Sequence, residues 1–291
     1  MCSSDLLRIS LTFISKGDAQ RFSTATALEL ANPLSDEASV MRTSLVPSML
    51  NMLGYNLNRG SDNVRLFEAG SVFEGAGEKA LESKRIVIGA TGTVDAGVVR
   101  GLAEERPLSF FDLKGDMEDL LAPFCHWVLA YDAQAADYYH PGRSARALMD
   151  GAVVAQFGQI HPDVTAARKL KQDVFIAELY LDRLYQHDLR QARYEALPRF
   201  PAVERDFSFV FDDSLEFEKI HQSIIGLGIA ELRSFVPLEI FRGDKVGAGK
   251  YSILMRAKLQ SSERTLRDDE VAEWAGQIAK ALEELGGVQR A

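Results

Sequence analysis

The sequence predicts an α+β protein of two domains. A mixed sheet flanked by a few helices occupies residues 1–196, and a smaller β-α-β-β-α-β unit, the ferredoxin-like order, occupies residues 197–291. Three observations carry this reading. Strand-like runs outnumber helical ones as far as residue 181. A charged, Arg-rich tract over 182–198 ends in Leu197-Pro198-Arg199 and marks a boundary. Beyond it, two alternating strands, Asp206 to Phe211 and Lys250 to Gln260, are each followed by a helical repeat.

In chain order, Leu7, Ile9, Leu11 and Phe13 alternate and predict a strand over 7–16. Leu28-Glu29-Leu30 gives a second short strand, and Asn32-Pro33-Leu34-Ser35-Asp36 a turn. From Ser44 the period becomes helical: Leu45, Met49, Met52, Leu53 and Leu57 share a stripe, and Gly60 is placed to stop it. Val64 to Glu68 and Val72-Phe73 read as two strands around Gly70, 74–84 as a hairpin or loop, and 85–90 as a buried strand. Phe110, Leu113, Met117, Leu120 and Leu121 define an amphipathic helix with charged residues between them. Strands are expected at 127–131, 145–149, 152–160 and 174–181.

In the second domain, Asp213 or Ser214 caps a helix that Gly226 and Gly228 end, and a strand covers 231–241. After a turn at 243–249, the next strand puts Tyr251, Ile253, Met255, Ala257 and Leu259 on one face. Lys250, Ser252, Leu254, Arg256 and Lys258 lie on the other. Thr265 or Asp268 opens a helix with Val271, Trp274, Ile278, Ala281 and Leu282 inward, and Val288 belongs to a closing strand.

Bulk properties exclude several classes. Hydrophobic residues make up 46% and charged residues 26%, an ordinary soluble balance, and no apolar run approaches the ~20 residues of a bilayer span. Two cysteines, Cys2 and Cys125, supply neither a disulfide framework nor a thiolate zinc site, and the composition fits a reducing cytoplasm. A net charge of −9 argues against a protein that coats nucleic acid, but a local basic strip suffices to grip one face of a folded RNA. Met1-Cys2-Ser3-Ser4-Asp5-Leu6 is too short and polar for a signal peptide. A common sequencing adapter, TGC TCT TCC GAT CT, encodes Cys-Ser-Ser-Asp and the start of Leu, so these residues are expected to be foreign to the native protein.

No constellation for catalysis emerges. The histidines at 126, 140, 161, 187 and 221 form no metal pair or nucleophile setting; His140-Pro141-Gly142 and His161-Pro162 read as turns. Val246-Gly247-Ala248-Gly249-Lys250 lacks the spacing of a phosphate-binding loop and precedes a strand. Carboxylates at 104–105, 212–213, 268–270 and 283–284 sit at loops or helix ends as solvated charge. Five cations, Arg242, Lys245, Lys250, Arg256 and Lys258, face the single acid Asp244 between 242 and 258. Residues 197–291 as a whole hold 13 Lys and Arg against 16 Asp and Glu. The strip reads either as a phosphate-facing surface or as a solvated sheet edge.

An ordered set of motifs then narrows the choice. Asn32-Pro33-Leu34-Ser35, Met41-Arg42-Thr43-Ser44-Leu45-Val46-Pro47, Asn56-Leu57-Asn58-Arg59-Gly60 and Arg65-Leu66-Phe67-Glu68-Ala69-Gly70 come first. Phe111-Asp112-Leu113-Lys114-Gly115, His140-Pro141-Gly142-Arg143-Ser144-Ala145 and Gly158-Gln159-Ile160-His161-Pro162 follow in order. Together they resemble the catalytic-like domain of bacterial phenylalanyl-tRNA synthetase β subunits, which is class II synthetase-like in fold. Arg199-Phe200-Pro201-Ala202-Val203-Glu204-Arg205-Asp206 and Ser261-Ser262-Glu263-Arg264-Thr265-Leu266 resemble the ferredoxin-fold anticodon-binding domain that ends those subunits.

The resemblance implies a chain without chemistry of its own, in a heterotetramer α2β2 whose α subunit activates phenylalanine and charges the tRNA. ATP and magnesium then belong to the complete enzyme and no cofactor or metal to this chain. The loss of the active site fits the residues: Arg65 stands three rather than two positions before Glu68, and no GxGxxxR segment exists in 1–196. The helix at 44–59 and the strand Arg65 to Glu68 become candidates for the interface with α, with Arg42, Asn58 and Arg59 as polar contacts. Arg199, Arg205, Arg242, Lys250 and Arg264 become candidates for contact with the anticodon region of phenylalanine tRNA. The competing readings are a free-standing active class II enzyme and a ferredoxin-like binding or regulatory module without a tRNA role.

Overall fold

The computed structural model describes residues 6–7, 10–76, 79–95, 105–124, 129–191, 198–243 and 246–290. The chain divides into two compact units, residues 1–192 and 193–291. Cys2, Cys125, His126, Asp244, Lys245 and the expected boundary at 196/197 lie outside the described residues.

The first unit opens with β1 (Leu6–Leu7), β2 (Phe13–Ile14), α1 (Lys16–Phe22), β3 (Val40–Met41) and α2 (Val46–Leu57). It continues through β4 (Val64–Ala76), β5 (Lys79–Thr91), β6 (Thr93–Asp95), β7 (Glu105–Pro107), α3 (Phe110–Leu121) and β8 (Ala130–Asp132). β9 (Tyr139–Met149), β10 (Ala152–Ile160), α4 (Pro162–Ala167), β11 (Val174–Tyr180) and α5 (Leu181–Leu184) complete it. Its seven-stranded sheet runs β1-β4-β5-β11-β10-β9-β8. The β1–β4 pairing is parallel and the other neighbours are antiparallel.

β11 sits at the centre and is buried from Val174 to Leu179. A strand covered on both sides reads as a continuous apolar run, and this one does, except for Glu178. Val174 and Ile176 join the core formed with Leu45, Met49, Leu50 and Leu53 of the α2 region. Phe175, Ala177 and Leu179 join the opposite core with Leu113, Met117 and Leu121 of α3. α2 comes so close to β5 that a Cβ added to Gly89 would lie 2.6 Å from Met49 Cγ. α3 begins where its sequence says it should: the Ser109 amide donates to Asp112 Oδ2 at 2.8 Å, closing a capping box.

Several expectations are corrected. Residues 7–16 do not form one strand; Ser15 instead caps α1 by accepting from the Asp18 amide at 3.0 Å, and Ala19 and Phe22 are buried. Val64 to Ala76 is one continuous strand, not two around Gly70. A Cβ on that glycine would lie 2.3 Å from Arg42 Nη2, so the guanidinium would have to shift. His140-Pro141-Gly142 lies inside β9 rather than in a turn. Leu120 is half exposed while Leu121 is buried, so α3 turns slightly away from the expected stripe. Residues 28–30 contribute an isolated bridge, Glu29 to Val40, rather than a strand.

The second unit comprises β12 (Val203–Asp212), α6 (Phe217–Ile225), β13 (Leu232–Phe241), β14 (Lys250–Leu259), α7 (Asp268–Glu284) and β15 (Val288–Gln289). Its sheet order is β13-β14-β12-β15, every neighbour antiparallel, which is the ferredoxin-like arrangement. Phe207, Phe209, Phe211, Tyr251, Ile253 and Met255 pack with Ile220, Ile224, Ile278 and Leu282 of the helices. α6 starts later than predicted, at Glu216, because Asp212 Oδ1 instead closes a tight turn by accepting from the Ser214 amide at 3.0 Å. α7 opens at Asp268, one of the two expected starts, with Arg267 as its cap residue.

Two stability predictions follow from these contacts. Arg42 and Glu68 form an ion pair at 2.7 Å with side chains 6% and 2% exposed. Arg42→Met would leave Glu68 buried without its counter-charge, and unfolding in urea should show a loss of about 3–5 kcal/mol. At the start of α7, Arg264 grips Glu270 with two bonds of 2.6 and 2.7 Å and holds its carboxyl down to about 2. A depressed carboxyl stabilises above its unfolded pKa and loses that contribution as pH falls toward the folded value. The difference in urea midpoint between the parent chain and Glu270→Gln should therefore be present at pH 6, shrink below about pH 4.5 and vanish by about pH 2.

Candidate functional site

Both helices of the second unit cover one face of its sheet; the other face is open. Strand alternation and register place Ser208 and Val210 of β12, Ser252, Leu254 and Arg256 of β14, and Val236 and Phe241 of β13 on the open side. β15 pairs Val288 with Val210, and the Arg290 amide donates to Ser208 O at 2.9 Å. A shallow depression of about 350 Å³ lies there, lined by Ser208, Glu239, Phe241, Ser252, Leu254 and Arg290. Phe241 is 43% exposed although it is a large aromatic. An exposed ring beside a guanidinium and two hydroxyls is suited to stack on a flat base and meet a phosphate.

The five cations nominated from sequence do not converge. Arg199, Arg205 and Arg264 lie toward the end of the sheet where β12 begins and β14 stops, since Val203 pairs with Leu259. Lys250 and Arg242 lie at the opposite end, where Asp212 pairs with Lys250. Arg264 is occupied by Glu270. Arg242 is held by Asp213 at 3.1 Å and lies 5.2 Å from the Tyr251 ring centroid. Arg205 donates to the Glu204 carbonyl at 3.1 Å, and Arg199 and Lys250 are exposed.

Acids on the neighbouring strand answer the basic strip of β14. Arg256 bonds Asp206 through Nε at 2.7 Å and reaches Glu204 at 3.0 Å. It holds the Asp206 carboxyl below the usual range by hydrogen bonding. Lys258 stands opposite Glu204 in the register. Arg290 and Phe241 were not legible as site residues, because only the pairing of β15 and β13 to the central strands brings them together.

In the first unit, Arg42 is 5% exposed and bonds Glu68, Ser10 Oγ at 3.0 Å and Ser71 O at 2.8 Å. Its expectation as a partner contact is corrected: the guanidinium is consumed inside the domain. Asn58 and Arg59 are exposed at the end of α2, with the Arg59 guanidinium 3.4 Å from the Tyr55 ring centroid. Most of α2 faces the core, with Val46, Met49, Leu50 and Leu53 buried. Leu34 and Leu11, 96% and 75% exposed, are the large apolar side chains most open to solvent in this unit among the described residues.

The α2 side of the large sheet carries a row across six strands that is polar on all but β5. Register aligns Glu68 of β4 with Val87 of β5, Glu178 of β11, Gln156 of β10 and Arg146 of β9, and Arg146 pairs with Asp132 of β8. Glu178 Oε1 accepts from the Leu45 amide at 2.9 Å and from Ser44 Oγ at 3.0 Å. Burial pushes its pKa up, partly opposed by the Leu45 amide, Arg85 and Ser44. His161 caps α4, its Nδ1 accepting from the Asp163 amide at 3.2 Å. Among the described residues no group of three or more His, Cys, Asp or Glu is arranged to hold a metal ion.

Comparison with known proteins accounts for both units. Residues 8–181 match a family model described as the phenylalanyl tRNA synthetase beta chain CLM domain. Residues 198–290 match the ferredoxin-fold anticodon binding domain. The phenylalanine–tRNA ligase beta subunit of Geobacillus kaustophilus is 34% identical over 97% of this chain and 35% of its own length. That of Symbiobacterium thermophilum is 33% identical over 90% and 30%, and that of Bacillus subtilis 31% over 97% and 35%. The chain thus spans about a third of the length of the curated relatives it matches. Among solved structures, a pyrrolysyl-tRNA synthetase from Desulfitobacterium hafniense covers 62% of this chain and 62% of its own at 14% identity and a TM-score of 0.46, a level that does not by itself equate two folds. With both units matched in order and nearly end to end, the chain belongs to the phenylalanyl-tRNA synthetase β chain family.

Proposed function

We propose that this chain is a non-catalytic portion of a phenylalanine–tRNA ligase β subunit, one that supports the α subunit and contacts the anticodon region of phenylalanine tRNA. The observation that carries the RNA role is the open face of the second sheet, where Phe241, Leu254 and Arg290 surround a depression beside Ser208 and Ser252. Arg199, Arg205 and Lys250, exposed toward the two ends of that sheet, would add phosphate contacts. Arg242 and Arg264 would contribute only after releasing Asp213 and Glu270.

The support role rests on the first unit. Exposed Leu11 and Leu34 offer apolar contact area to an α subunit, and Asn58 and Arg59 offer polar contacts. An α2β2 assembly in the cytoplasm is proposed, and no helix among the described residues is long and apolar enough to cross a membrane. ATP and magnesium are proposed for the complete enzyme.

Filter binding of the chain to phenylalanine tRNA at graded salt tests the RNA role: affinity should fall as salt rises. Phe241→Ala should weaken binding by about 1–3 kcal/mol, the usual loss when a stacking ring is removed. Arg290→Ala should lower the salt slope by about one phosphate contact. Absence of salt-dependent RNA binding, with or without an α subunit, would instead favour a ferredoxin-like module with no tRNA role. For the support role, co-expression with an α subunit from the same source should copurify the two chains. Replacing Leu11 and Leu34 together by Ser should reduce recovery of the complex while leaving the melting temperature of the free chain unchanged.

A further inference from the structure

A cavity of about 730 Å³ in the first unit opens on the polar row described above. That volume falls within the range of small-molecule sites, roughly 300–1,000 Å³, and far exceeds the space a single bound ion requires. Four arginines line it: Arg21, Arg85, Arg146 and Arg183. Arg21 is paired with Asp137 at 2.8 Å, and Arg146 is held by Asp132 at 2.8 and 2.6 Å. These two cations are already neutralised.

The other two are not. Among the described residues the Arg85 side chain makes no hydrogen bond or ion pair, although its charge favours the ionised form of Glu178; its guanidinium lies 4.2 Å from the centroid of the Tyr180 ring. The Arg183 guanidinium lies 4.9 Å from the same centroid and donates a single bond, to the Val153 carbonyl at 2.7 Å. Two like charges gathered at one aromatic ring repel each other, more strongly in a recess than in open water. Glu178, which lines the same cavity, already accepts two hydrogen bonds, and burial disfavours its charged form. Glu74 also lines the cavity, without an ion pair among the described residues.

We propose that this cavity binds a small organic oxyanion, a carboxylate or a phosphate ester, gripped by Arg85 and Arg183 beside the Tyr180 ring. A guanidinium presents a planar fork of donors that matches either group in bidentate fashion. Gln134 and Gln156, which also line the cavity, supply polar contacts to the body of the ligand.

Isothermal titration of the 291-residue chain at low ionic strength with succinate, phenyl phosphate and inorganic phosphate tests this. Succinate or phenyl phosphate should bind saturably at one site. Arg85→Gln and Arg183→Gln should each weaken that binding about tenfold, the loss expected for one charged hydrogen bond. Arg233→Gln, in the other unit, should leave it unchanged. Failure of both organic probes to bind, or binding indifferent to both cavity substitutions, overturns the proposal. Binding of inorganic phosphate alone also overturns it, because the site would then take a simple ion only. Ligand-free melting supplies a second check. Arg85→Gln should leave the melting temperature nearly unchanged, since Arg85 forms no ion pair among the described residues and the substitution removes only its coulombic attraction to Glu178, whose charged form burial disfavours. A fall of several degrees would show Arg85 to be a structural prop and would sink the assignment. None of these readouts involves RNA, so they fail or succeed separately from the anticodon reading.

Discussion

One buried carboxylate ties the large domain together. Glu178 lies on the central strand, where all its neighbours in sequence are apolar, and it accepts hydrogen bonds from Leu45 and Ser44 at the mouth of α2. A helix start leaves amide donors without partners, and an acceptor placed there satisfies one of them and favours the dipole. The contact fixes where α2 meets the sheet, and with it the placement of Met49 over Gly89. Burial of an acid is costly and hydrogen bonding only partly offsets it, so the gain is a defined docking position rather than stability. The same logic governs Arg42 and Glu68, a buried ion pair on β4, which β5 separates from β11.

The smaller domain solves a different electrostatic problem. Its most basic strand, β14, lies beside a strand that supplies Glu204, Asp206 and Asp212, so cations and acids meet across the ladder. Opposite charges on facing residues contribute modestly to sheet stability and leave little net field. The proposed RNA surface therefore depends less on bulk charge than on shape: a ring, a guanidinium and hydroxyls at a shallow depression. That suits unpaired bases, which offer flat faces and edges, better than a duplex, which offers mainly phosphates. It also reconciles an acidic chain of net charge −9 with membership in a family of tRNA ligases.

Much of the fold was readable because burial imposes period. The span of α3, the face of β14 and the order of elements in the second unit all follow from apolar spacing and caps, and the structure agrees with each. Where local signals competed, reading failed. Gly70 looked like a strand break, yet its lack of a side chain serves Arg42 across space. Arg42 reads as a partner contact through the resemblance of its motif, yet its acidic partner lies 26 positions away in the same domain.

By itself the sequence determined the α+β plan, the amphipathic helices, the buried strands and, through an ordered set of motifs, the family. Those properties depend on neighbours within a few residues, where hydrophobic period and hydrogen-bond geometry act directly. Only the tertiary structure decided which charges are free. Arg264 is spent on Glu270 and Arg256 on Asp206, whereas the Arg85 side chain forms no ion pair among the described residues and lies over the Tyr180 ring. The reason is that a charge is neutralised by what lies within a few ångströms, and strand register, not spacing along the chain, sets that distance.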